Sequence, residues 1–174
     1  MFNGARILGV VTGILVGLVF ALFIVRFVNR NRRMTTEYDE MQKKIRGEGY
    51  KIAFYSVIIF EAVMCALTMG MEMPAEPYVI HFFAIFLGVT VQACYCIWKD
   101  AYIGLNTNIK RYIILMVFVS VFNFLVAFRS WKSGELIAEG RFQAQTINLL
   151  CGVMFAVIGI VGLVKKLSDR EEEA

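Results

Sequence analysis

Between Ile7 and Val25 the sequence carries no charged side chain, and four further apolar runs of similar length follow it. A hydrocarbon layer about 30 Å thick is crossed by about 20 helical residues, so runs of this kind mark membrane spans. They lie at 7–28, 52–71, 78–98, 112–128 and 147–164. No backbone group goes unpaired in lipid, so each span is expected to be helical despite its β-branched residues. The expected fold is all-α: a polytopic helical bundle with five transmembrane helices, forming a single membrane domain over residues 1–174. Composition agrees. Hydrophobic residues make up 59% of the chain before its 14 glycines are counted, and about two thirds with them, against roughly 45–50% in soluble domains. The first run leads directly into Arg26, Arg30, Arg32 and Arg33 without a small-residue cleavage site, which reads as a retained anchor rather than a signal peptide.

The basic residues set the expected orientation. The connection from Arg26 to Lys51 holds eight Lys or Arg. Lys99, Lys110 and Arg111 join that side, as do Lys165, Lys166 and Arg170, while the opposite side has Arg6, Arg129, Lys132 and Arg141. Fourteen against four is a strong positive-inside bias. It places the amino terminus outside and the carboxyl terminus in the cytoplasm of a plasma membrane, with anionic inner-leaflet lipids facing the basic loops.

The familiar signatures of nucleotide-binding and hydrolytic sites, such as G-x-x-x-x-G-K-[ST], H-E-x-x-H and G-x-S-x-G, do not occur. Cys65, Cys94, Cys96 and Cys151 fall inside apolar runs and read as buried reduced thiols. Cys94 and Cys96 are two apart and point to different faces of a helix, and one His cannot complete a zinc site. The expectation is a non-enzyme with no metal, no cofactor and no nucleic-acid partner.

Two stripes of small residues favour close helix packing. Gly9, Gly13, Gly17 and Ala21 continue a four-residue spacing from Ala5, and Gly152, Ala156 and Gly159 form a weaker stripe on the last span. Small side chains let helices approach where lipid is as apolar as leucine. The first groove suits packing within the chain or against a second copy, hence an expected homo-oligomer.

Polar residues inside the spans are the candidate site. Glu61 is the one acid at mid-depth. A charged group there costs on the order of 2.5–3.5 kcal/mol, so it must pair, be neutral or face the bundle. Measured along each helix, Gln92, Ser120, Asn123 and Glu61 lie about 9–16 Å from the basic side. The reading is one layer in which a neutral Glu61 is buried against the other three, as a ligand or ion site or, more simply, as interhelical hydrogen bonding. His81 lies near the outer end of its span, on the same face as Ala84, Gly88, Gln92 and Tyr95. It is a candidate outer polar site, or a histidine that merely reaches the interface.

Before the second span, Thr36 with Asp39 resembles a capping box. The pairs Asp39–Lys43 and Glu40–Lys44 support a short helix at about 36–46 that ends at Gly47 or Gly49. Asp39-Glu-Met-Gln42, followed by Arg46-Gly-Glu-Gly-Tyr-Lys51, resembles a group of small multi-pass membrane proteins of Gram-positive bacteria with an Asp-Glu-Arg-Gln type motif here. In that group Arg usually stands where this chain has Met41. The resemblance implies a bacterial plasma membrane and, because such proteins are often encoded beside small DNA-binding regulators, membrane signalling or stress response. Two functions follow as expectations. The first is an oligomeric membrane protein that binds or conducts a small solute or ion. The alternative is a regulatory or scaffolding protein that engages a membrane or cytoplasmic partner through residues 35–46.

Overall fold

The computed structural model describes residues 37–105 and 109–172, together with Thr12, Leu15, Val16, Gly17, Val19, Phe20, Leu22, Phe23 and Arg26 of the first apolar run, all of them helical. The chain divides into two compact units, Met1–Glu37 and Tyr38–Ala174. The second contains α1 (Glu40–Gly70), α2 (Pro77–Trp98), α3 (Ile109–Lys132), a two-stranded ribbon of β1 (Ile137–Ala138) and β2 (Arg141–Phe142), and α4 (Thr146–Glu172). Four helices among the described residues are long and apolar enough to cross a membrane: Glu40–Gly70, Pro77–Trp98, Tyr112–Lys132 and Thr146–Asp169. The chain is thus a mostly helical multi-pass protein.

Three local expectations are corrected. The capping box belongs to Asp39 and Gln42, not to Thr36. The Asp39 side chain accepts from the Gln42 N–H at 2.6 Å, and the Gln42 side chain accepts from the Asp39 N–H. Second, no break separates a 36–46 helix from the next span, because α1 runs unbroken through Gly47 and Gly49 for 31 residues. A helical glycine costs about 1 kcal/mol against alanine. At Gly49 close packing offsets that cost: a Cβ there would stand 2.9 Å from Cys96 Sγ. Third, the fold is not purely α. Glu139 and Gly140 both have positive φ (51° and 75°), which is the backbone a two-residue hairpin turn needs, and β1 and β2 close around them.

The helices pack as an open row in the order α1, α2, α4, α3. A small core of Ala93, Met116, Met154 and Ile158 sits where the last three meet. Glycines make the contacts between helices close. A Cβ on Gly88 would lie 2.7 Å from Val57, and one on Gly152 would lie 3.1 Å from the Phe124 ring. Ser120 strengthens the second contact by donating to the Gly152 carbonyl at 2.9 Å. Outward faces are rich in large apolar side chains such as Phe118, 69% exposed, as expected of helices solvated by lipid.

At one end of the row the two connections are joined by main chain. The Phe142 N–H donates to the Pro74 carbonyl at 2.8 Å, and the Glu76 N–H donates to the Phe142 carbonyl at 3.0 Å. This is the ribbon end of the bundle. The opposite, basic end carries Lys43, Lys44, Lys51, Lys99, Lys165 and Lys166.

Candidate binding site

The short connection from Met71 to Glu76 sets the register of the α1–α2 hairpin. Antiparallel pairing then matches Gly49 with Cys96, Val57 with Gly88, Phe60 with Phe83 and Glu61 with His81. The Glu61 carboxylate lies 3.0 Å from His81 Nδ1. Both line a cleft of about 690 Å³ that opens toward the ribbon end. On α1, Glu61, Met64, Cys65 and Thr68 share the cleft-facing side at three- and four-residue spacing. Beyond the helix, Met71 and Met73 line the same cleft from the extended connection. Arg141 of β2 also borders it and is held near Glu72 at 3.6 Å and Glu76 at 4.0 Å.

The expected four-residue layer is not what the helices assemble. Gln92 donates to Cys96 Sγ on its own helix at 3.4 Å, Asn123 donates to the Val119 carbonyl at 2.8 Å, and Ser120 is directed to Gly152. Glu61 lies on α1, which packs on α2, whereas Ser120 and Asn123 lie on α3, which packs on α4. Depth from the basic side had aligned Glu61 with Gln92. The true register is fixed by the connection at the ribbon end and brings Glu61 level with His81. Of the small and polar stripe expected from His81 through Ala84, Gly88, Gln92 and Tyr95, the residues His81, Gly88 and Tyr95 meet α1.

Of the small-residue stripes, Gly152 and Gly159 are buried and Ala156 is half-buried. Gly17 is helical and exposed with no atom beside its Cβ position. Gly9, Gly13 and Ala21 lie outside the described residues.

At the basic end the motif residues act together as a clasp. Gln42 donates to the Asp100 carbonyl at 2.8 Å, Arg46 to the Ala101 and Tyr102 carbonyls at 3.4 and 3.5 Å, and the Tyr38 hydroxyl to the Tyr102 carbonyl at 3.4 Å. The Arg46 guanidinium also stacks 4.2 Å above the Tyr38 ring. Tyr95 donates to Glu48 at 2.9 Å, and Lys165 pairs with Asp100 at 3.1 Å. The Tyr102 hydroxyl accepts from Tyr112, and burial pushes its pKa above the ordinary tyrosine value, so it is a neutral phenol at physiological pH. Beneath the clasp lies a cavity of about 300 Å³ between Tyr102, Met116, Ile158 and Lys166.

Searches against family models, curated proteins and solved structures return no match to this chain.

Proposed function

We propose that the chain is a non-enzymatic, oligomeric multi-pass protein of a bacterial plasma membrane that binds or conducts a small solute or ion at the Glu61–His81 cleft. The observation that carries this reading is the meeting of the chain's one mid-span acid and its one histidine, 3.0 Å apart, in an open cleft of about 690 Å³. An ionisable side chain in a span is expensive, and such groups mark ion and substrate pathways. The positive-inside bias supports an orientation with the amino terminus and the ribbon end outside, so that the cleft opens away from the cytoplasm. The four-residue spacing of Gly9, Gly13, Gly17 and Ala21 in the sequence favours self-association.

The regulatory alternative keeps part of its surface, since Met41 is 64% exposed and Glu40, Lys43 and Lys44 are exposed beside it. Tyr38, Gln42 and Arg46 are engaged by residues 100–103 of the same chain, which gives the 35–46 segment an intramolecular role. Proteoliposomes given proton, sodium or potassium gradients test the leading reading. Flux in the parent that disappears in Glu61→Gln supports it. Silent vesicles, together with a second polypeptide retained on purification, would favour scaffolding instead.

A further inference from the structure

We propose that the Glu61–His81 cleft is a site for a soft monovalent metal ion, Cu(I), held by thioether sulfurs and the His81 imidazole. The proposal rests on the reading of the cleft as a binding site and names the class of ion.

Three observations converge. The first is sulfur. Met64, Cys65, Met71 and Met73 line this one cleft, and the last two are two residues apart in the connection just past the end of α1. Glu72 between them lines the cleft as well. Thioether sulfurs are soft ligands that favour Cu(I), whereas thiolate also serves zinc and carboxylate sets suit harder ions. The second is the state of His81. Its Nδ1 is held by the Glu61 carboxylate, and among the described residues nothing bonds Nε2. When Nδ1–H donates to a carboxylate, the ring tautomer is fixed and Nε2 presents its lone pair. Metal-bound histidines are almost always oriented in this way. The third is what the cleft lacks. Among the described residues no three His, Cys, Asp or Glu groups converge well enough to hold a metal. The thioether sulfurs are thus the donors that would have to complete a site around His81. The long unbranched methionine side chains let the ligands close on an ion without backbone movement.

Motif reading passes over this site because it searches His, Cys and carboxylate spacings. The relevant signal is Met69-Gly-Met71-Glu-Met73 after Met64-Cys65. Met69 is 83% exposed and does not line the cleft, which makes it an internal control.

The test is anaerobic competition for Cu(I) between the detergent-purified full chain and a colorimetric Cu(I) chelator, repeated with Ag(I) as a redox-inert probe and with Zn(II) as a contrast. One Cu(I) or Ag(I) per chain is expected, with metal–sulfur distances in the X-ray absorption spectrum, and no comparable Zn(II) binding. Met71→Leu/Met73→Leu keeps apolar volume and should fold. It should weaken binding at least about tenfold, and Glu61→Gln should weaken it by about 10- to 100-fold through the histidine it orients. Met69→Leu should leave the affinity unchanged. No Cu(I) or Ag(I) binding by the parent, or equal binding by the folded double variant, overturns the assignment. If Glu61-dependent ion flux persists in that case, the cleft remains a solute site with the metal assignment removed. If flux is also absent, both readings fall.

Discussion

The Glu61 and His81 side chains are 36% and 64% exposed, and within a span that exposure is to lipid or to the cleft rather than to bulk water. Their contact is weighed as an interhelical hydrogen bond in a membrane, which contributes about 0.6 kcal/mol on average. A double-mutant cycle on Glu61→Gln and His81→Gln should give a coupling below about 1 kcal/mol, with all three variants folded. A coupling above about 2 kcal/mol would make the pair structural. The opposite holds at Gly88. An added methyl would meet Val57 Cγ2 at 2.7 Å, so Gly88→Ala should destabilise the hairpin by about 1–3 kcal/mol. Adding Val57→Ala should return much of that loss. Thermal unfolding in detergent checks both, and a neutral Gly88→Ala would refute the contact. Glu61 and His81 were each legible as unusual residues, but not as partners. Membership of a span is local information, whereas pairing depends on where the chain turns, and Met71–Glu76 is not apolar enough to announce its own geometry.

At the scale of elements, α1 is too long for one membrane crossing. Thirty-one residues span about 46 Å, and the hydrocarbon is about 30 Å thick, so about ten residues at the basic end project beyond it. That projecting stretch carries the clasp. Gln42→Ala and Arg46→Ala each remove side-chain donors to residues 100–103, and each should lower stability by about 1 kcal/mol. The more telling readout is local: amide exchange at 100–103 should speed up in either variant while the α2–α4 core stays protected. Unchanged exchange would mean that the loop holds its shape unaided. The acids and the bases of this stretch were legible in sequence, whereas the cap reads three residues early, at Thr36 rather than at Asp39. The continuity of the stretch was not legible, since Gly47 and Gly49 read as a stop and the Cys96 contact that excuses Gly49 lies 47 residues away. The hairpin turn at Glu139-Gly140 was likewise too short to stand out beside helices of twenty residues and more.

For the whole molecule, four of the five apolar runs fall on helices that are long and apolar enough to cross a membrane, because water and lipid sort side chains before tertiary structure matters. The sequence held less about which helices touch, since lipid-facing and helix-facing positions are almost equally apolar. Single cysteines in a Cys-free background should place position 135 on one side of the membrane, and positions 40 and 170 on the other. Labelling of 40 and 135 from the same side would contradict the α1–α4 arrangement and the charge bias together. Finally, the two connections at the ribbon end are stitched by peptide groups. Any side chain can be exchanged at those positions without touching the stitches, so an alanine scan will pass over them in silence. Proline alone deletes the donor: Phe142→Pro should loosen the α1–α2 turn from the ribbon where Phe142→Ala leaves the stitches in place, detected as lost protection of the Glu76 amide. A seam of this kind leaves its own residues free to drift, and its persistence across related chains would be written in the spacing of the segment rather than in its letters.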